Sequence, residues 1–385
     1  MFLIDETPVP YADPWDQPLS ERLSSLKRGK YRVAYYYRHP DNSTFRYRVY
    51  NMVQALDAAQ SEMSGGYFHV GDLAYADLIL DACDALVLCR VSYDDAANQL
   101  ITKARARNRK VIFDCDDMVF DVRYMHLIAA TLDQNMADPR IWDFWIAYLG
   151  RIGRTLQLCD HAIVTNTSLA ERVRAFNDMP VSIVPNFMNL EQIVASDAIY
   201  DGKVRSRFAR DGAIHLGYFS GTPTHNREFA LVAGTLARLL RDDARLRLRL
   251  VGFLPATDCF DDLTDRVEIH AFRDFVNLQT LIGSTEINLV PLQSNAFTDC
   301  KSELKYFEAA AVGTVSVASP SAVLRRAIAD GVTGHLANAF DWADKIRAVI
   351  DAMDRYGEMA HAARSEVRRK YHWAAQAQAI ERAVS

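Results

Sequence analysis

Ile214-His215-Leu216-Gly217-Tyr218-Phe219-Ser220-Gly221-Thr222-Pro223-Thr224-His225-Asn226-Arg227 decides the fold. An apolar, β-rich run breaks at Gly and Pro and passes into a helical pattern over 227–241, which is the strand–turn–helix step of a βαβ unit. Gly221 gives the backbone freedom to turn. Ser220, Thr222 and Thr224 offer hydroxyls, and Thr224 or Asn226 can cap a helix whose N-terminus favours an anion. Arg227 adds a guanidinium suited to phosphate. A plain capped βα turn is the alternative for the same residues. The chain contains no G-x-G-x-x-G, so the usual dinucleotide fingerprint is absent.

Outward from this step the pattern repeats. Downstream, strands are expected at 247–251, 267–270, 287–290, 315–318 and 335–337. Helices are expected at 274–282, 301–312, 322–329, 341–356, 359–369 and 373–383. Upstream, strands are expected at 32–37, 67–70, 85–89, 111–113, 162–165 and 182–184. The helix expected over 138–158 is rich in aromatics, read as core. Two series of alternating strands and helices, separated by a weakly periodic stretch at 189–211, predict an α/β chain with two Rossmann-like parallel-sheet domains facing a central cleft. The expected division is an N-terminal extended arm at 1–30, carrying Pro8, Pro10, Pro14 and Pro18, then domains at 31–205 and 206–370.

Composition agrees with this size. The chain has 385 residues, 50% hydrophobic, enough for two domains with large cores. With 44 Lys+Arg against 49 Asp+Glu, the net charge of -5 gives no support for broad nucleic-acid binding. No apolar run reaches membrane-spanning length, and Met1–Glu6 lacks the features of a secretory signal. The six cysteines show neither C-x-x-C nor zinc-ligand spacing and read as buried thiols of a reducing cytoplasm.

A second constellation follows the strand at 287–290: Asp299-Cys300-Lys301-Ser302-Glu303-Leu304-Lys305-Tyr306-Phe307-Glu308, then Ala309–Ala311 and Gly313. On a helix, Lys301, Lys305 and Glu308 share one face. A lysine in the first turn opposes the helix dipole unless an anion neutralises it. Glu308 is placed to accept from sugar hydroxyls. The alternative is an exposed salt-bridge face, against which the small residues that follow argue, since they imply close packing on a sheet.

These two segments, with Val315-Ser316-Val317-Ala318-Ser319, resemble the donor-binding domain of GT-B fold glycosyltransferases, especially glycosyltransferase family 4. The resemblance is strongest over 213–340. It implies a nucleotide-diphosphate sugar as donor substrate, no cofactor and no metal, and a terminal helix at 371–385 that crosses back to the N-terminal domain. It also implies that Glu308, the second glutamate of the E-x7-E signature, binds the nucleotide ribose. The first glutamate would fall at position 300, which is Cys300; Asp299 and Glu303 are the nearby carboxylates. The donor-side candidates are Ser220, Gly221, Thr222, Arg227, Lys301, Ser302, Lys305 and Glu308. His225 stands beside the proposed phosphates as a catalytic candidate.

In the N-terminal half, Ser43, Thr44, Arg46 and Arg48 stand where the family often has a Gly-rich loop, and are candidates for the acceptor or phosphate side. Arg46 and Arg48 fall on different sides of a helix, so at most one reaches the cleft; a solvated basic helix start is the alternative. After the fourth strand come Asp114, Asp116 and Asp117. Asp116 or Asp117 can orient an acceptor hydroxyl or act as base. Rival readings are a D-x-D metal pair at Asp114 and Asp116, or a polar cap. His161 reads as structural, and His126 as a weaker cleft candidate. The expected function is metal-independent, retaining sugar transfer to a glycan or lipid-linked glycan. The setting is the cytoplasm, with peripheral association at the inner membrane face. A GT-B-like sugar-nucleotide epimerase and a non-catalytic binding protein are the alternatives.

Overall fold

A computed structural model of the chain describes residues 1–59, 61–221, 226–252 and 258–385. Its first sheet contains β1 (Tyr31–Tyr36), β2 (Met63–Phe68), β3 (Ala85–Cys89), β4 (Lys110–Cys115), β5 (His161–Val164) and β6 (Val181–Ile183). The second contains β7 (Ile214–Ser220), β8 (Leu246–Gly252), β9 (Val267–His270), β10 (Ile287–Val290), β11 (Val315–Ala318) and β12 (His335–Leu336). Both sheets are wholly parallel, in the orders β2-β1-β3-β4-β5-β6 and β12-β11-β10-β7-β8-β9. The central strands are buried along their whole length because helices cover both faces, which is why they read as unbroken apolar runs.

Three large apolar clusters fill the molecule, with a smaller fourth around Phe219, Val251 and Ala309. One lies in each domain. The third runs continuously from Val33, Tyr35 and Phe45 in the first domain to Phe275, Tyr306 and Phe307 in the second. The domains therefore share a core at one end of the cleft.

The weakly periodic stretch is not a loose linker. Residues Leu190–Arg205 form a helix packed against the helix Phe275–Ser284. Its buried positions include Gln192, Ser196 and Lys203, so the inward stripe is largely polar and leaves no apolar period in the sequence. The Lys203 ammonium bonds Gly313 O at 3.2 Å and Thr314 Oγ1 at 3.1 Å.

The first thirty residues are not extended throughout. Phe2 is buried among Phe208 and Tyr356 of the second domain. Val9 N donates to Asn277 Oδ1 at 2.8 Å. Trp15 then packs between Phe45 and Tyr50 of the first domain and Phe275 of the second. Past Pro18, a helix-compatible entry residue, Leu19–Leu26 is helical and lies on β2. At the other end of the chain, the helix Trp373–Val384 packs on the helix Asn51–Ala58 of the first domain, and Tyr31 Oη donates to Val384 O at 2.9 Å. No helix among the described residues is long and apolar enough to cross a membrane.

Candidate active site

In the second sheet the strand order runs in opposite directions from β7 and β10, and the crevice outside their carboxyl ends is where such sheets bind ligands. Ser220 ends β7 and is buried, and Gly221 is exposed. Thr222 and His225, with Pro223 and Thr224, lie outside the described residues. The glycine that this rim demands is Gly252, at φ +96°, where a Cβ would stand 1.9 Å from Ser220 O.

Beyond β10, Asn295 Oδ1 accepts from the backbone of Phe297 and Thr298 and bends the chain into a single turn at Thr298–Cys300. Lys301 is extended, and the helix begins only at Leu304. Lys301 therefore precedes the helix instead of occupying its first turn, and its ammonium pairs with Glu228 Oε1 at 2.7 Å.

Lys305 is on the helix, and its ammonium is buried without a hydrogen-bond partner among the described residues, 4.7 Å from the centre of the Tyr218 ring. Burial pulls its pKa down to about 8, against the opposing pull of Glu228. A buried cation without a bonded anion is costly. One turn on, Glu308 is 5% exposed. Tyr47 Oη, Gln192 Nε2 (2.9 Å) and Arg46 Nη2 (3.3 Å) all donate to its Oε1. These donors fix the carboxylate and leave Oε2 without a donor among the described residues.

The first sheet has its switch between β1 and β3. Arg46 leaves the loop after β1 and is buried, its guanidinium 4.1 Å from the Tyr47 ring and 4.6 Å from the Phe275 ring, so it reaches the second domain. Arg48, a candidate for the cleft, does not face it. It is 0% exposed and grips Asp114 with two bonds of 2.8 Å, plus Val184 O at 2.7 Å. Arg46 and Arg48 stand two residues apart on a wide, π-helical turn, which sends them to opposite sides. The same pair engages both oxygens of Asp114, so the acidic loop presents Asp116 and Asp117 without it.

Asp116 accepts from Thr44 Oγ1 at 3.1 Å and from Arg90 Nη1 at 3.2 Å. Arg90 also lies 3.7 Å from Asp117. The Asp117 carboxyl is pushed up to about 6 by burial and by Asp116, while Arg90 and Lys301 pull it back. Arg90 has φ +47°, a strained value for a non-glycine residue, and stands directly after β3. Sequence reasoning missed it; its position at the end of a central strand was the available signal. Ser43 is exposed and bonded to Asp41.

The structure thus brings Lys301, Lys305 and Glu308 to one side of the cleft and Thr44, Arg90, Asp116 and Asp117 to the other, with Arg46 joining them. Ser302 Oγ accepts from Asn186 of the first domain at 3.0 Å. Arg227 reaches across the cleft mouth to Asp133 at 2.7 Å. Cys300 is fully buried, packs with the first domain's core, and gives its carbonyl to Asn166 at 2.9 Å. Burial pushes its thiol up to about 12, out of the nucleophilic range. Asp299 caps Ala322 N at 2.8 Å and Glu303 holds Tyr371 Oη at 2.6 Å, so both nearby carboxylates have structural partners. His126 is exposed, and His161 bonds Ser182 at 3.0 Å within the sheet.

Residues 214–354 match the family described as Glycosyl transferases group 1. Over 142 residues the chain is 32% identical to the D-inositol 3-phosphate glycosyltransferase of Arthrobacter sp. (strain FB24), covering 34% of this chain and 32% of that protein. The chain therefore matches about a third of the length of that curated relative. Among solved structures, Anabaena Alr3699/HepE in complex with UDP and glucose superposes with a TM-score of 0.60 at 12% identity, over 91% of this chain and 98% of that one. Sucrose-phosphate synthase from Thermosynechococcus elongatus gives 0.60 at 15% identity, over 91% and 97%. With two parallel six-stranded sheets closing on a shared cleft, the chain has the GT-B fold, and its residues 214–354 match the model of the group 1 glycosyl transferases.

Proposed function

We propose that the protein is a glycosyltransferase that takes a sugar from a nucleotide-diphosphate donor. The observation that carries this reading is the Lys305 ammonium, buried and without a bonded anion among the described residues, one turn before a glutamate whose Oε2 has no donor among them. A diphosphate beside Lys305 and Lys301 supplies the missing anion, and a ribose diol on Glu308 Oε2 supplies the missing donors. Negative charge develops on the leaving diphosphate, and lysines already in place stabilise it without reorganisation. UDP is the first nucleotide to test, because the Anabaena protein was crystallised with UDP and with glucose. The acceptor, a glycan or lipid-linked glycan, meets the donor from the side of Asp116 and Asp117. With such an acceptor, the setting proposed is polysaccharide assembly in the cytoplasm, with peripheral association at the inner membrane face.

Retention of configuration, without a metal, is the course the family resemblance implies. Inversion is favoured by the placement of Asp117, in the loop directly after β4 and 3.7 Å from Arg90, with its carboxyl pushed up to about 6 by burial and by Asp116, a value suited to a general base near neutral pH. The anomeric configuration of the product, read by NMR, decides between them. Binding is tested by thermal shift with UDP, GDP, dTDP and CMP. Lys301→Ala and Glu308→Ala are each expected to weaken the responding nucleotide at least tenfold. Unchanged binding in both folded variants sinks the donor site.

A further inference from the structure

The helix Pro139–Gln157 exposes large aromatics on two opposite flanks. Trp142 and Ile146 lie on one flank, 40% and 48% exposed. Phe144, 56% exposed, lies on the other, one turn before Tyr148. Phe144 and Tyr148 rings are nearly parallel, 7° apart in plane and 5.8 Å between centres. The buried Trp145 sets its edge against both, at 5.5 and 5.7 Å, and holds the pair in place. Tyr148 Oη in turn accepts from Arg90 Nη2 at 3.2 Å, and Arg90 carries Asp116.

A water-exposed phenyl ring thus continues, through a tyrosine, into the charged group on the first domain's side of the cleft. We infer that Phe144 and Tyr148 form an acceptor subsite that receives a pyranose ring. A pyranose has an apolar C–H face and a rim of hydroxyls. The ledge offers an aromatic surface for the first and the Tyr148 hydroxyl, Arg90 and Asp116 for the second. A lipid surface fits less well. Trp142 and Phe144 stand about 200° apart around the helix, so one bilayer plane cannot take both. The outward face between them carries Arg140 and Asp143, both exposed. The inference rests on the sugar-transfer reading of the cleft for the word acceptor, and on the ring geometry for the rest.

Saturation-transfer NMR tests it, with methyl glucoside, galactoside and mannoside added to the full chain in the presence of UDP. At least one glycoside is expected to show saturation concentrated on its axial ring protons. Phe144→Ala should weaken that glycoside about 3- to 10-fold, the range of an aromatic stacking contact, and Phe144→Trp should restore it. UDP affinity should be the same in all three proteins. Saturation that survives Phe144→Ala, or no glycoside saturated at all while UDP binds, overturns the subsite. So does loss of flotation on POPC/POPG vesicles in Phe144→Ala with glycoside binding intact, which would make the ledge a membrane contact. If UDP fails to bind while a glycoside still requires Phe144, the ledge stands and the donor reading falls.

Discussion

Replacing Lys305 by methionine separates a ligand-binding lysine from a structural one. Burial takes the ammonium from 10.5 to about 8. At ~1.36 kcal/mol per pH unit, the charged form is disfavoured by roughly 3 kcal/mol in the nucleotide-free protein. The sign follows from proton counting. Between about pH 8 and 10.5 the unfolded chain holds a proton that the folded one has released, so stability rises with pH across that window. At pH 7 the cost is almost fully present. Methionine has similar length, carries no charge, and its sulfur suits the Tyr218 ring that the ammonium now faces. Urea unfolding at pH 7 should therefore show Lys305→Met about 1–3 kcal/mol more stable than wild type, an advantage that fades as pH approaches 10.5. Calorimetry should show UDP bound roughly 10- to 100-fold more weakly, the loss of one charge-assisted bond. Wild-type affinity for UDP should itself fall as pH rises through about 8. A variant that is less stable without nucleotide, or that binds UDP as well as wild type, refutes the reasoning.

Arg48→Met leaves Asp114 charged, buried and unpaired, and should cost about 3–5 kcal/mol in urea unfolding; Arg48→Lys should recover only part, because an ammonium cannot form both bonds of the fork. Gly252→Ala forces a Cβ toward Ser220 O at a left-handed φ, and should lower stability by at least ~1–3 kcal/mol; a thermal melt unchanged from wild type would mean that the β7–β8 rim relaxes freely. Asp117→Asn should reduce transfer more than UDP binding. If the ionised carboxylate acts, wild-type rate should climb through about pH 6 and the asparagine variant should lose that limb; equal losses in rate and UDP affinity would assign Asp117 a structural role instead.

The central strands were legible because they are buried on both faces: β3, β10 and β11 begin and end where the apolar runs do. The helix Leu190–Arg205 was not legible, since polar Gln192, Ser196 and Lys203 occupy its inward stripe, and Gln192 and Lys203 find their partners only in the folded chain. Glu308 and Lys305 could be placed from helical spacing. Lys301 could not, because the turn that displaces it depends on Asn295 capping backbone amides ahead of the helix. The different fates of Arg46 and Arg48 follow from their spacing, but which of them faces the second domain depends on where Asp114 lies, a residue 66 positions away from Arg48 in sequence. Arg90 carried no motif. Its role appears only when β3 and β4 lie side by side and bring Asp116 to it.

The contacts across the cleft are unequal, and that inequality says where the two domains can part. At one end Arg46 is buried between Tyr47 and Phe275 and bonded to Glu308, with Trp15 stacked nearby on the same Phe275. Separating such a buried pair costs several kcal/mol. At the other end Arg227 meets Asp133 with both side chains more than a third exposed, 49% and 39%. An exposed pair of that kind contributes about 0–1 kcal/mol. Opening is therefore easiest at Arg227–Asp133, with Arg46–Glu308 as the pivot. Glu308 belongs to the pivot because its donors among the described residues arrive on Oε1 from Arg46, Tyr47 and Gln192, outside its own helix. Its orientation is thus preserved while the mouth opens. The carboxylate proposed for the ribose then sits on the immobile side of that motion.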